Sequence, residues 1–159
     1  MQNKTELLNS HMEQYAEIYN LKEDLTIIDL IQEASLDNSS RSGLKIKNGL
    51  LFGTREWFNA IESGVIKKNV VTGLISKVYM TGHDDYPQFD IISESGKSGW
   101  TRYGQDSQYI VGRKIELYYV EQEFKWGFLN QMVSKCIVQI KVSLDIYPLP
   151  LECEMSKNE

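Results

Sequence analysis

The residues best suited to chemistry in this sequence lie between Trp100 and Tyr119, in the stretch WTRYGQDSQYIVGRKIELYY. It combines five aromatic side chains with three basic ones. Aromatic rings stack on nucleic-acid bases and basic groups pair with phosphates, so this composition is typical of a single-strand binding surface. Aromatic residues also pack on sheets for structural reasons alone, and that role is the alternative. We predict that a binding face would use the outward side chains Lys77, Arg102, Tyr103, Lys114, Tyr118 and Lys141.

A second cluster, His83, Asp84 and Asp85, lies in the loop sequence GHDDYP. Imidazole and carboxylate groups bind divalent ions, but adjacent loop residues seldom converge on one ion without further ligands. We therefore predict a solvated hairpin loop or a loop that contacts a partner, and no metal site.

Catalytic motifs are incomplete in this chain. Gly96-Lys97-Ser98 has the ending of a phosphate-binding loop, but Ile91 stands where the first glycine is needed and no helix is expected to follow. There is no G-x-S-x-G elbow. Glu121 and Glu123 share one face of a predicted strand, which favours solvent exposure over an acid–base pair. We predict no catalytic residues and no cofactor, and an enzyme with an unrecognised site stays open.

The net charge of −5 is unevenly distributed along the chain. Residues 1–43 carry three basic and eight acidic side chains, residues 44–147 carry thirteen and eleven, and residues 148–159 carry one and three. The middle of the chain therefore lacks the strong positive charge that dominates phosphate binding. The acidic first third is better suited to a basic partner.

The elements that must carry these residues begin with predicted helices. Apolar residues recur at three- and four-residue spacing in two groups, which predicts a helical hairpin or one kinked helix in the first third. The first group is Leu7, Leu8, Met12, Tyr15, Ile18 and Tyr19, and the second is Leu21, Leu25, Ile28 and Ile31. A polar loop over 35–43 and a tight turn at Asn48-Gly49 follow. A short helix is predicted over 54–63, with Thr54 as its N-cap and Gly64 just after its end.

From residue 69 the pattern changes to β-strands. Five strands are predicted between residues 69 and 147, and the last alternates from Cys136 to Ile146. Strands joined by such short turns would hide their edges by closing into a barrel. Gly73 inside the first strand, the turn at Gly96 and the run YIVGRKIELYY resemble the order of parts in an OB-fold, with an SH3-like or other small barrel as the alternative. The resemblance implies a binder of single-stranded nucleic acid or another extended oligomer, although GQDSQ is too short for the helix that usually precedes the fourth strand.

These elements predict an α+β protein in three parts. They are an acidic helical arm and loop at 1–43, a five-stranded antiparallel β-barrel domain with its short helix at 44–147, and a disordered tail at 148–159. The first hypothesis is a non-catalytic protein-binding module of the inhibitor, immunity or adaptor type. It would bind a protein partner or a second copy through residues 1–34. Binding of single-stranded nucleic acid is the alternative function.

The location of the protein is a separate expectation. The longest apolar runs are too short to span a bilayer. The segment MQNKTELLNSHMEQ lacks the apolar region and the cleavage site of a signal peptide. We therefore expect a cytoplasmic protein that makes no membrane contact.

Overall fold

The computed structural model of this chain describes residues 13–82, 85–125 and 132–151. These residues form an α+β fold with two helices and one six-stranded antiparallel sheet. The elements in chain order are β1 (Tyr15–Asn20), α1 (Leu25–Leu36), α2 (Arg55–Glu62), β2 (Asn69–Met80), β3 (Pro87–Ser93), β4 (Gly96–Thr101), β5 (Arg113–Glu123) and β6 (Val133–Ile146). Neither helix is long and apolar enough to cross a lipid bilayer. Most of the predicted tail, residues 152–159, lies outside the described residues.

The sheet is open, so the predicted five-stranded barrel is not confirmed, whereas the α+β class is. Its strand order is β1-β6-β5-β2-β3-β4, which leaves β1 and β4 as the two edges. Strands β3 and β4 form a tight hairpin in which Ser93 pairs with Gly96. The turn expected at Gly96 is therefore formed by Glu94 and Ser95, because strand pairing already begins at Gly96.

Residues 15–20 form an edge strand where the spacing of apolar residues predicted a helix. The backbone N–H of Leu144 in β6 donates to the carbonyl of Gln14, 3.0 Å away, beside the start of β1. Aromatic and β-branched residues suit a strand as well as a helix, so pairing with β6 decides the outcome. The helical hairpin is therefore wrong for residues 15–20, and Leu7, Leu8 and Met12 lie outside the described residues.

The second predicted helical group becomes a single helix that starts after a short 3₁₀ turn. The Tyr19 hydroxyl donates to the Asp24 carboxylate at 3.0 Å. The other Asp24 carboxylate oxygen accepts the backbone N–H of Ile27 at 3.3 Å, which makes Asp24 the N-cap of α1. The chain thus passes from edge strand to helix within a few residues.

Two local predictions in the next segment are confirmed. The Thr54 hydroxyl accepts the backbone N–H of Trp57 at 3.3 Å, which caps α2, and Gly64 follows the helix with φ at 82°. Asn48 and Gly49 have φ values of 56° and 72°, which are the left-handed values that a tight hairpin turn requires.

The described residues divide into two compact units. The first takes its residues from 1–18, 72–116 and 141–159, and the second from 19–71 and 117–140. The buried core of the first unit includes Ile75, Phe89, Ile91, Ile115 and Val142. That of the second includes Leu21, Phe52, Trp57, Leu117, Val120 and Ile140. Each unit therefore has an apolar core of its own.

Candidate functional site

The predicted ligand-binding side chains are divided between the two units. Tyr118 belongs to the second unit, and the first contains Lys77, Arg102, Tyr103, Lys114 and Lys141. Arg102 is largely buried, with 9% of its side chain exposed. One guanidinium nitrogen pairs with Asp106 at 2.9 Å, and another donates to the carbonyl of Tyr79 at 3.2 Å. These contacts give Arg102 a structural role at the end of β4.

The other predicted residues also have intramolecular contacts. The Lys114 ammonium pairs with Glu13 at 3.1 Å and lies 4.3 Å from the centre of the Tyr147 ring.

Two other lysine side chains place their ammonium groups over tyrosine rings of the same chain. The Lys77 ammonium lies 4.7 Å from the Tyr79 ring, and Lys68 lies 5.2 Å from the Tyr118 ring. The backbone of Tyr103 bonds to the hydroxyl of Tyr109 through both its N–H and its carbonyl, and Lys141 is half-buried in β6. A nucleic-acid-binding surface made of these residues stays a prediction, and none of these intramolecular contacts supports it.

Of the three loop candidates, only Asp85 lies among the described residues. Asp85 is exposed and has φ at 47°, a left-handed value that aspartate tolerates better than most residues. His83 and Asp84 lie outside the described residues. Within the part of the chain that the structure describes, no group of three or more His, Cys, Asp or Glu residues is placed to hold a metal ion.

The outer side of α1 exposes acidic and apolar residues on one continuous face. We define the acidic helix face as Leu25, Thr26, Asp29, Leu30, Glu33 and Leu36, all of which are exposed. Leu25 is 65% exposed, Leu30 61% and Leu36 59%. Within the predicted apolar group, Leu25 is exposed whereas Ile28 is buried. The two differ because residues three positions apart project about 60° from each other around the helix.

The inner side of α1 is fixed in place by packing and hydrogen bonds. Gln32 donates to the carbonyl of Phe52 at 2.8 Å. The Lys125 ammonium donates to the carbonyls of Ala34 and Asp37 in and after the last turn, where a positive charge also complements the helix dipole. A Cβ at Gly43 would lie 2.6 Å from the backbone of Ala34, so only glycine fits beside this turn. The acidic helix face is therefore carried on a firmly anchored helix.

A groove of about 430 Å³ lies elsewhere in the second unit. We call it the lysine groove. Its walls are the hairpin turn before α2, the segment after α2, the end of β5 and the start of β6. It is lined by Lys45, Lys47, Asn48, Leu50, Trp57, Val65, Ile66, Lys67, Glu121, Gln122, Glu123 and Val133.

The floor of the lysine groove is tied together by one tryptophan and one glutamine. Trp57 is fully buried, and its indole N–H donates to the Gln122 side-chain oxygen at 2.9 Å. The Gln122 amide donates to the carbonyl of Lys45 at 3.1 Å. The ring of Trp57 also packs against Phe52, with ring centres 4.6 Å apart. The groove is therefore preformed, since α2, β5 and the hairpin are linked beneath it.

Sequence reasoning predicted partner binding through residues 1–34, which include most of α1, but it missed the lysine groove. Lys47, Lys67 and Glu121 are far apart in the chain, and only the fold brings them to one groove. For α1, the available signal was that Leu30 and Leu36 do not fit the apolar stripe, which indicates leucines left outside the core.

Comparison with known protein families gives a match over most of the chain. The family model described as immunity protein RhsI2 matches residues 15–143, about four fifths of the chain. The matched range begins at β1 and ends within β6, so it includes the acidic helix face and the lysine groove. No curated protein matches the chain.

Proposed function

The chain belongs to the RhsI2 immunity-protein family, and we propose that it binds a protein toxin through the acidic helix face and thereby neutralises it. Membership of an immunity-protein family supports a protein-binding, non-catalytic role. The choice of surface rests on one observation, which is the exposure of three leucines around Asp29 and Glu33 on α1.

This face is unfavourable for α1 when the chain is alone. Asp29 and Glu33 are four residues apart, and like charges at that spacing destabilise a helix by a few tenths of a kcal/mol. Among the described residues neither has an ion-pair partner. Exposed leucines on the same face add apolar surface in contact with water. A partner that covers the leucines and places basic groups beside the carboxylates would offset both effects.

The arrangement suits a protein interface in particular. Interfaces concentrate their binding energy in a few apolar or aromatic anchors near the centre, while charges at the rim direct association. Here Leu25, Leu30 and Leu36 would be the anchors, and Asp29 and Glu33 would attract a basic partner surface. Because α1 is anchored by Lys125 and Gln32, the chain would lose little conformational entropy on binding.

The test is a binding measurement on two purified proteins. The full chain serves as bait to identify the toxin, which is then purified and titrated against wild type and the variant D29K/E33K. We expect the variant to bind about 10- to 100-fold more weakly, chiefly through slower association that depends on salt. A second variant, L25S/L30S, should weaken binding mainly through faster dissociation.

A matched control separates local from overall charge. The variant E94K/D145K changes the net charge by the same amount at two exposed sites that belong to the first unit and not to α1. It should bind toxin within about twofold of wild type, as surface changes outside an interface usually do. Equal losses in both charge variants, or full binding by D29K/E33K and L25S/L30S, would contradict the assignment of this surface. Sedimentation of the chain alone tests whether the face pairs two copies instead.

A further inference from the structure

We propose that the lysine groove receives an extended, acidic segment of the same protein toxin, at a second contact separate from the acidic helix face. The identity of the partner rests on the proposed function, but the groove is a different surface with its own geometry. The segment would present carboxylates to Lys47 and Lys67 and an apolar side chain to Val65 and Val133.

The charges of the groove favour an acidic occupant on one side. Lys45 and Glu123 pair with each other at 3.4 Å, so they largely cancel. Lys47 and Lys67 are exposed, and among the described residues neither has an ion-pair partner. Glu121 carries the remaining negative charge in the lining. The net charge of the groove lining is therefore positive. The part of the occupant that faces Glu121 must be neutral or basic.

The apolar lining favours a peptide over a phosphate-rich ligand. Val65 is 72% exposed and Val133 is 43% exposed, so both have surface left for a partner to cover. Nucleic acid and small anions would use the lysines and leave these two valines in water. An extended peptide uses both, because alternate side chains of a strand-like segment point in opposite directions.

The opposite signs of the two surfaces would contribute to specificity. A toxin with a basic patch for α1 and an acidic segment for the groove matches both surfaces in only one orientation. A protein with a uniformly basic or acidic surface would meet repulsion at one of them.

The test uses peptide probes and the full chain labelled with ¹⁵N. The probe is the capped hexapeptide EDLVQN, and the controls are KRLVQN, QNLVQN and a thymidine hexanucleotide. The reporters are the Trp57 indole N–H and the Gln122 side-chain amide, which form the floor of the groove. Among the four probes, we expect only EDLVQN to shift both resonances at millimolar concentration. The affinity of K47E/K67E for EDLVQN should be at least about tenfold lower than that of wild type.

Matched variants make each outcome decisive. The variant R55E/K77E makes the same charge change at two exposed sites outside the groove lining, and it should keep the wild-type response. The amide spectrum of each free variant reports whether it is folded. The proposal is overturned if EDLVQN leaves both reporters unmoved, if the three peptides act alike, or if the oligonucleotide is the only probe that shifts them.

The same variants separate this proposal from the proposed function. D29K/E33K should bind EDLVQN like wild type, since α1 does not line the groove. With purified toxin, K47E/K67E should weaken binding while R55E/K77E does not. If K47E/K67E binds the toxin as well as wild type, the proposal for the lysine groove is contradicted and the proposed function is not. If D29K/E33K binds it as well as wild type, the assignment of the acidic helix face is contradicted and the proposal for the groove is not.

Discussion

Replacing Gly73 with alanine should disrupt the pairing of β2 with β3. A Cβ at this position would lie 2.1 Å from the carbonyl oxygen of Ile92 and 2.9 Å from a side-chain carbon of Ile91. The nearest atom belongs to the backbone of the neighbouring strand, next to the pair formed by Leu74 and Ile92. The strands must therefore separate locally, since no flexible side chain can move aside. Overpacking a core costs about 1–3 kcal/mol, and a backbone clash belongs at the upper end.

Equilibrium unfolding in urea and thermal unfolding measure this cost directly. A loss of about 3 kcal/mol lowers the midpoint temperature by roughly 6–12 °C in a protein of this size. The matched control is Gly82→Ala, because a Cβ there meets no atom of the described residues within 4 Å and should change stability by less than about 0.5 kcal/mol. If Gly73→Ala unfolds at the same urea concentration and temperature as Gly82→Ala, the close approach of the two strands is wrong.

Three further predictions concern the anchoring of α1, the start of α2 and a buried tyrosine. Lys125→Met removes the ammonium that bonds to the carbonyls at the end of α1, so we expect about 1–2 kcal/mol lower stability and faster amide hydrogen exchange in α1 alone. Thr54→Ala removes the N-cap of α2 and should lower the free energy of unfolding in urea by about 1 kcal/mol. Thr54→Ser keeps a hydroxyl at this position and should retain most of the stability that the cap contributes. Burial raises the pKa of the Tyr109 hydroxyl well above its ordinary value of 10.0, so the folded state favours the neutral phenol. The contribution of Tyr109 to the free energy of unfolding should therefore be constant below pH 10 and fall as the pH rises above it, and Tyr109→Phe should show a smaller fall in alkaline urea titrations.

The local elements of this protein were predictable because their signals lie within a few residues of one another. The Thr54 cap and the Asn48-Gly49 turn each depend on neighbours in the chain, and both are confirmed. Alternating apolar residues and glycine-containing turns indicated β-structure after residue 69, but the predicted set of five strands is not confirmed, because the sheet has six. Gly73 was noted as part of an OB-like order of strands, whereas its close approach to Ile92 was not predicted.

The candidate surfaces were less predictable than the elements that carry them. The acidic character of the first third followed from composition. A non-catalytic protein-binding role of the inhibitor, immunity or adaptor type was a hypothesis based on that composition and on the lack of catalytic motifs, and the family match supports the immunity type. The acidic helix face was only partly anticipated, because apolar spacing did not indicate which leucines of α1 are exposed. The lysine groove was not anticipated, since its lining residues come from four separate segments.

The sequence by itself determined the α+β class, the capped helix α2, the turn at Asn48-Gly49 and the separation of charge along the chain. These properties arise from propensities, caps and periodic patterns that act over one or two turns of backbone. Only the tertiary structure decided that residues 15–20 form a strand, that the sheet stays open and which face of α1 meets solvent. Each of these depends on contacts between distant segments, such as the hydrogen bond from Leu144 to Gln14 or those from Lys125 to the end of α1. Local sequence carries no direct signal for such contacts.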